Sequence, residues 1–232
     1  PEPTPEPTPA PKPDPTPAPK PDPTPAPKPD PTPAPEASTP NPGMSYDREF
    51  IASLGSKAGN GGLSAEEIAH LIAAPVNDPN YSRAMALVAA HYESKKDYKG
   101  HCTTTNSVLA QSRWKYTPDW NLEAAKCFLR NGDLNGAVRS AETAISGQMD
   151  LASGTRTQRV LLAYQIKARA RTGSYEADAR KNAGFGEVRL LNTAISAWKE
   201  AQNYATGTGQ SSAADAAQRE VDDLEARRPP ED

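Results

Sequence analysis

Ala214, Ala217, Val221 and Leu224 stand three and four residues apart, so they share one stripe of a helix running roughly from Ser211 to Arg227, with charged residues on its other face. Further back, Ala86, Ala89, Ala90 and Tyr92 give a small-residue face with one aromatic. Start signals divide the chain between these points. Ser64 with Glu67 three residues on is a capping box, opening a short helix that ends before Pro75. Asp78-Pro79 offers a cap followed by proline at the first helical position, and Thr117-Pro118 repeats that arrangement. Lys96-Asp97-Tyr98 reads as a turn, with a second helix from about Lys99 to Ser112. The region is rich in Ala and Leu and poor in β-branched runs, which predicts an all-α domain.

Two segments match: Lys126-Cys-Phe-Leu-Arg130-Asn-Gly132-Asp-Leu134 and Lys167-Ala-Arg-Ala-Arg171-Thr-Gly173-Ser-Tyr175. Each is expected to end one helix in a small turn and open another. Around the first, Ala125, Phe128, Gly132, Leu134, Ala137 and Ala144 fall where two helices touch, where an aromatic fills the gap, and where the chain turns. On these residues the chain resembles the tetratricopeptide-repeat family from about Tyr81 to Tyr204. Aligning the turns puts Lys96, Gly132 and Gly173 in register, at spacings of 36 and 41 residues. The third unit carries Ile166 where alanine is expected, and its second helix is interrupted at Asn182 to Gly186, before Val188 to Tyr204. The resemblance implies a right-handed α-solenoid of antiparallel helix pairs, about three repeats with flanking helices, whose concave face holds other proteins. The expected layout is a spacer over 1–43, an N-terminal helical cap over 44–80, repeats over 81–206, and a capping helix and tail over 207–232.

The first 35 residues have another character. Of 25 prolines, 18 occupy every odd position from Pro1 to Pro35, and residues 11–34 are three identical copies of PKPDPTPA. Proline fixes φ and disfavours helix in the residue before it, so alternating X-Pro is expected to be polyproline II or disordered. Fully extended, it spans on the order of 110 Å at about 3.1 Å per residue. It reads as a spacer rather than a docking ligand, having no aromatic or arginine anchor, with Glu36 to Gly43 as a hinge. Its composition resembles that of spacers crossing the periplasm or cell wall in bacterial membrane-anchored proteins, such as TonB-like linkers. That points to an extracytoplasmic, tethered domain in the periplasm or at the cell surface; a cytoplasmic location stays open. The chain begins at Pro1 rather than Met, so it reads as a fragment or a processed form, and any signal peptide, anchor or upstream domain would lie outside it.

The formal charge is −3, all of it in the spacer, which leaves the rest balanced at 23 basic and 23 acidic residues. A globally basic nucleic-acid surface is not supported. No apolar run is long enough to span a membrane, so membrane attachment would need an upstream anchor.

In the tetratricopeptide arrangement the first helix of each pair lines the groove. Lys126 and Lys167 are equivalent there, as are Arg130 and Arg171, and lysine and arginine four apart share a face. With Arg83 they form a candidate basic stripe for an acidic or carboxylate-rich protein or peptide, loosely resembling a carboxylate clamp. An ordinary solvated face is the competing reading. Cys102 and Cys127 would lie on neighbouring helices of successive pairs. A disulfide is then possible, and two buried free thiols are the alternative. The cysteines lack CxxC spacing and form no ligand set with His70, His91 and His101, so no metal or cofactor is expected. Trp114, Trp120 and Trp198 read as packing residues. Gly59-Asn60-Gly61-Gly62 lacks the Lys-Ser/Thr of a phosphate loop. His101 is expected to point away from Cys102, and no catalytic set stands out. The function expected is a non-enzymatic interaction scaffold, with the sensor or docking region of a larger membrane protein, such as a bacterial receptor kinase, as the alternative.

Overall fold

A computed structural model describes residues 46–151, 153–182 and 186–229. The proline spacer, the hinge and residues 183–185 of the expected break lie outside the described residues. The described residues are helical, with no strand among them. They form α1 (Arg48–Ser53), α2 (Gly55–Gly59), α3 (Ala65–Ile72), α4 (Tyr81–Ser94), α5 (Tyr98–Leu109), α6 (Pro118–Arg130), α7 (Leu134–Ser146), a 3-10 turn (Gln148–Asp150), α8 (Arg156–Lys181), α9 (Val188–Gly207) and α10 (Ser211–Ala226). Among the described residues no helix is long and apolar enough to cross a membrane.

Local chemistry sets these boundaries. The capping box at α3 forms: the Glu67 N–H donates to Ser64 Oγ at 3.2 Å, and the Ser64 N–H to Glu67 Oε2 at 2.7 Å. Thr117-Pro118 opens α6 as expected. Asp78-Pro79 does not open α4. Asp78 instead accepts the Asn80 N–H at 2.7 Å in a turn, and the helix starts at Tyr81.

The α4–α5 and α6–α7 connections are one turn built twice, 36 residues apart. The backbone is left-handed at Lys96 (φ 58°) and at Gly132 (φ 77°). The Asp97 N–H donates to the Tyr92 carbonyl at 2.9 Å, and the Asp133 N–H to the Phe128 carbonyl at 3.0 Å. Each aspartate then caps the next helix, Asp97 accepting from Gly100 N–H at 2.9 Å and Asp133 from Gly136 N–H at 2.8 Å. Glycine is needed at both capped positions because the preceding aromatic ring lies over them. A Cβ at Gly100 would stand 2.7 Å from a Tyr92 ring carbon, and one at Gly136 2.9 Å from a Phe128 ring carbon.

The expected third turn is corrected. α8 runs unbroken through Gly173 for 26 residues. Where Asp133 caps forward after Gly132, Ser174 follows Gly173, and its hydroxyl bonds back to the Ala170 carbonyl at 3.0 Å. Gly173 serves close approach instead: a Cβ there would lie 3.2 Å from Leu134 Cδ1 on α7. A left-handed turn does occur at Gly209 (φ 73°), between α9 and α10.

From α4 onward each helix packs mainly on the next in chain order, and α6 also reaches α8. The core divides accordingly. Ile51, Leu71, Val88, Val108 and Trp120 belong to the first cluster, Leu122, Ala137, Ala141 and Ile166 to the second, and Leu191, Trp198, Val221 and Leu224 to the third.

The two matched glycines should respond differently to alanine. Gly132→Ala forces a side chain into the left-handed region and should cost about 1–2 kcal/mol. Gly173→Ala gains helix propensity of up to about 1 kcal/mol against a small shift of Leu134, and should be close to neutral. Urea midpoints measure both; equal losses would mean that Gly173 also serves as a turn.

Candidate functional site

A cavity of about 350 Å³ opens between α4, α6 and α8. Its α4 wall is low because Ala86, Ala89 and Ala90 stand there, and Trp120 closes the α6 side. The Trp120 indole N–H donates to Ser82 Oγ at 2.9 Å, tying α6 to α4. Arg83 and the Asp119–Arg159 ion pair line the cavity near the helix starts, with Glu93, His101 and Glu123 also contributing.

The Glu93, His101 and Glu123 end is a closed charge network. His101 is fully buried, and its Nε2 lies 3.0 Å from Glu123 Oε2. Lys126 ion-pairs with Glu123 and reaches Glu93 at 3.0 Å. Arg130 Nη2 lies 3.3 Å from Glu93, and its guanidinium stacks 4.2 Å over the Tyr98 ring. Burial alone would push the Glu123 carboxyl up, but the His101 hydrogen bond and the Lys126 ammonium outweigh it and hold the group below the usual carboxylate range. Glu93, His101 and Glu123 offer three ligand atoms within 4.8 Å of one another. The cation between the carboxylates is the Lys126 ammonium, and a metal would have to displace it.

Behind this network Cys102 of α5 and Cys127 of α6 are joined in a disulfide, with their Cα atoms 5.5 Å apart. His101 Nδ1 lies 3.5 Å from Cys127 Sγ. The histidine expected to point away from Cys102 therefore meets the other half of the pair, and His101, read as forming no ligand set with the cysteines, lies beside them.

The five expected stripe residues do not share one free surface. Lys126 is committed to Glu93 and Glu123. Lys167 lies 2.9 Å from Glu200 of α9 and 3.5 Å from Glu142 of α7. Burial alone would lower the Lys167 ammonium's pKa, but Glu200 and Glu142 outweigh it and hold it above its ordinary value. Arg130 shares Glu93. Among the described residues Arg83 and Arg171 have no carboxylate partner; Arg83 is exposed and Arg171 half-buried, and the Arg171 Nε is buried with no hydrogen-bond partner. Glu93, Glu123 and Asp119 were missed as site residues. Glu123 could have been found, standing three residues before Lys126 and four before Cys127 on the same helical face. Glu93 comes from another helix and carries no such local signal.

Compared with known proteins, the chain matches no protein-family model, and no curated protein or solved structure is significantly similar to it.

Two outcomes follow from this geometry. The depressed Glu123 pKa contributes stability that is full above the unfolded carboxylate value and is lost as pH falls through the folded one. Glu123→Gln should therefore flatten the acid limb of stability against pH, measured by urea unfolding between pH 7 and pH 3; an unchanged slope counts against the network. Replacing both cysteines by alanine should lower stability by about 2–4 kcal/mol, read in the same assay.

Proposed function

We propose that this chain is a non-enzymatic scaffold: a right-handed α-solenoid of tetratricopeptide-like helix pairs that holds a segment of another protein, carried on a proline-rich spacer in a bacterial envelope. The observation that carries this reading is the small-residue cavity between α4, α6 and α8, which lies between the first helices of successive pairs. Ala86 and Ala90 leave room for a partner's side chain, Trp120 supplies an apolar wall, and arginines stand at the rim. The division of the core into clusters following chain order supports a quasi-one-dimensional array. The duplicated turn with its aromatic-over-glycine contact supports repetition of one helix pair.

The occupant favoured is an extended segment carrying at least one carboxylate. Arg83 lacks an acidic partner among the described residues, and Arg159 has only Asp119. Recognition is also favoured over catalysis by what the cavity offers. Its carboxylates are ion-paired, its histidine is buried, and the nearby cysteines are bonded to each other. The disulfide supports an oxidising, extracytoplasmic setting.

A photo-crosslinking residue at position 86 tests the proposal in the native cell, with position 106 on the exposed side of α5 as control. Discrete protein adducts should form from position 86 and not from position 106. Adducts equal at both positions, or none at position 86, would sink the groove reading.

A further inference from the structure

We propose that, once their disulfide is reduced, Cys102 and Cys127 join His101 in a binding site for a soft divalent cation of the zinc class. Three observations carry this. The first is distance. The ligand atoms of the three residues lie within 4.8 Å of one another, and all three residues are buried. Zinc binds sulfur at about 2.3 Å and imidazole nitrogen at about 2.0–2.1 Å in a tetrahedron, which sets a sulfur–nitrogen edge of about 3.5 Å. His101 Nδ1 and Cys127 Sγ already stand 3.5 Å apart. The two sulfurs must part to about 3.8 Å for the same tetrahedron, with Cys102 Sγ already within 4.8 Å of the histidine.

The second observation is the histidine tautomer. Glu123 accepts from His101 Nε2 at 3.0 Å, and Lys126 keeps that carboxylate ionised. The proton is thereby held on Nε2, and the Nδ1 lone pair faces the sulfurs. A carboxylate fixing a histidine from behind is the outer-sphere arrangement that orients metal-binding imidazoles.

The third observation is charge. Two thiolates and a divalent cation cancel, so the buried site gains no net charge on loading. The competing donor is Arg130 Nη1, 3.4 Å from Nδ1. Arg130 has Glu93 and the Tyr98 ring as alternative partners, so it can leave Nδ1 without being stranded. Lys126 is held by Glu93 and Glu123. The fourth position falls to water or an exogenous ligand.

The chemistry balances with a dithiol as reductant. One of its thiolates attacks one sulfur of the pair, forming a mixed disulfide and releasing the other cysteine as a thiolate. Its second thiolate then closes the reductant's own ring and releases the attacked cysteine. Two electrons pass to the protein, which gains two thiols, and the cation displaces their two protons. Both cysteines are nearly buried, so entry requires local opening of α5 against α6. The same residues then pin α5 to α6 in either state, by a sulfur–sulfur bond or by a metal.

The test uses the whole chain. It is reduced with a dithiol, freed of reductant under anaerobic conditions, checked for helicity by circular dichroism, and titrated with cobalt(II). Reduced protein should bind one cobalt with a thiolate-to-cobalt charge-transfer band, which zinc abolishes; oxidised protein should show no band. Glu123→Gln keeps the imidazole and should weaken binding by about 10–100-fold; His101→Ala should weaken it further, and Glu123→Gln carries the test alone if that variant does not fold. A reduced, helical wild-type protein without the band would overturn the proposal. So would an equal band in the oxidised protein, or cobalt affinity unchanged by Glu123→Gln.

Discussion

The joint between α5 and α6 is the constraint on which the remainder depends. The first core cluster fills α1 to α5 and takes in Trp120 at the start of α6, the second fills α6 to α8, and the chain passes from one to the other here. Yet α5 brings little apolar bulk to the joint. Its buried residues are His101, Cys102, Thr104, Thr105 and Val108. The two threonine hydroxyls are satisfied within the helix, bonding back to the Gly100 and His101 carbonyls at 3.0 Å each. Burying such side chains yields less than the about 1.5–3 kcal/mol of a leucine or phenylalanine. A disulfide, a buried Glu–His contact and the Glu93–Lys126 bridge supply what apolar packing does not.

The cavity inherits its shape from that joint. α4 belongs to the first cluster, and α8 contributes mainly to the second and third. If α5 slid on α6, the alanines of α4 would no longer face Trp120. A cavity walled by short side chains on cross-linked helices loses little freedom when filled, which favours binding through preorganisation. The Trp120–Ser82 hydrogen bond acts in the same sense across the opening.

Local chemistry was legible along the chain, and chemistry between helices was not. The α3 capping box, the Thr117-Pro118 start and the Gly132 turn each rest on residues within four positions of one another, and all three appear as read. Gly173 shows the limit. Glycine serves either a left-handed turn or a close helix approach, and only the following residue separated the two: aspartate after Gly132, serine after Gly173. The aromatic-over-glycine contacts at Tyr92–Gly100 and Phe128–Gly136 recur at the same 36-residue spacing as the turns, but neither glycine was read from the sequence, because their reason is steric and appears only in three dimensions. The register of cysteine, histidine and carboxylate at the joint needed the packing of α5 on α6.

The lysines carry the same lesson for function. Lys126 and Lys167 sit at matching places in matching segments, and each is ion-paired with two carboxylates. Lys126 bridges α4 and α6 through Glu93, and Lys167 bridges α7, α8 and α9 through Glu142 and Glu200. A cation with two carboxylate partners has little field left for a visitor, whereas an exposed arginine without one keeps its charge and its donors. Spacing along a helix says which charges share a face; only the counter-charges from neighbouring helices say which remain available. By that criterion Arg83, at the edge of the alanine-lined cavity, remains available, and Lys126 and Lys167 do not.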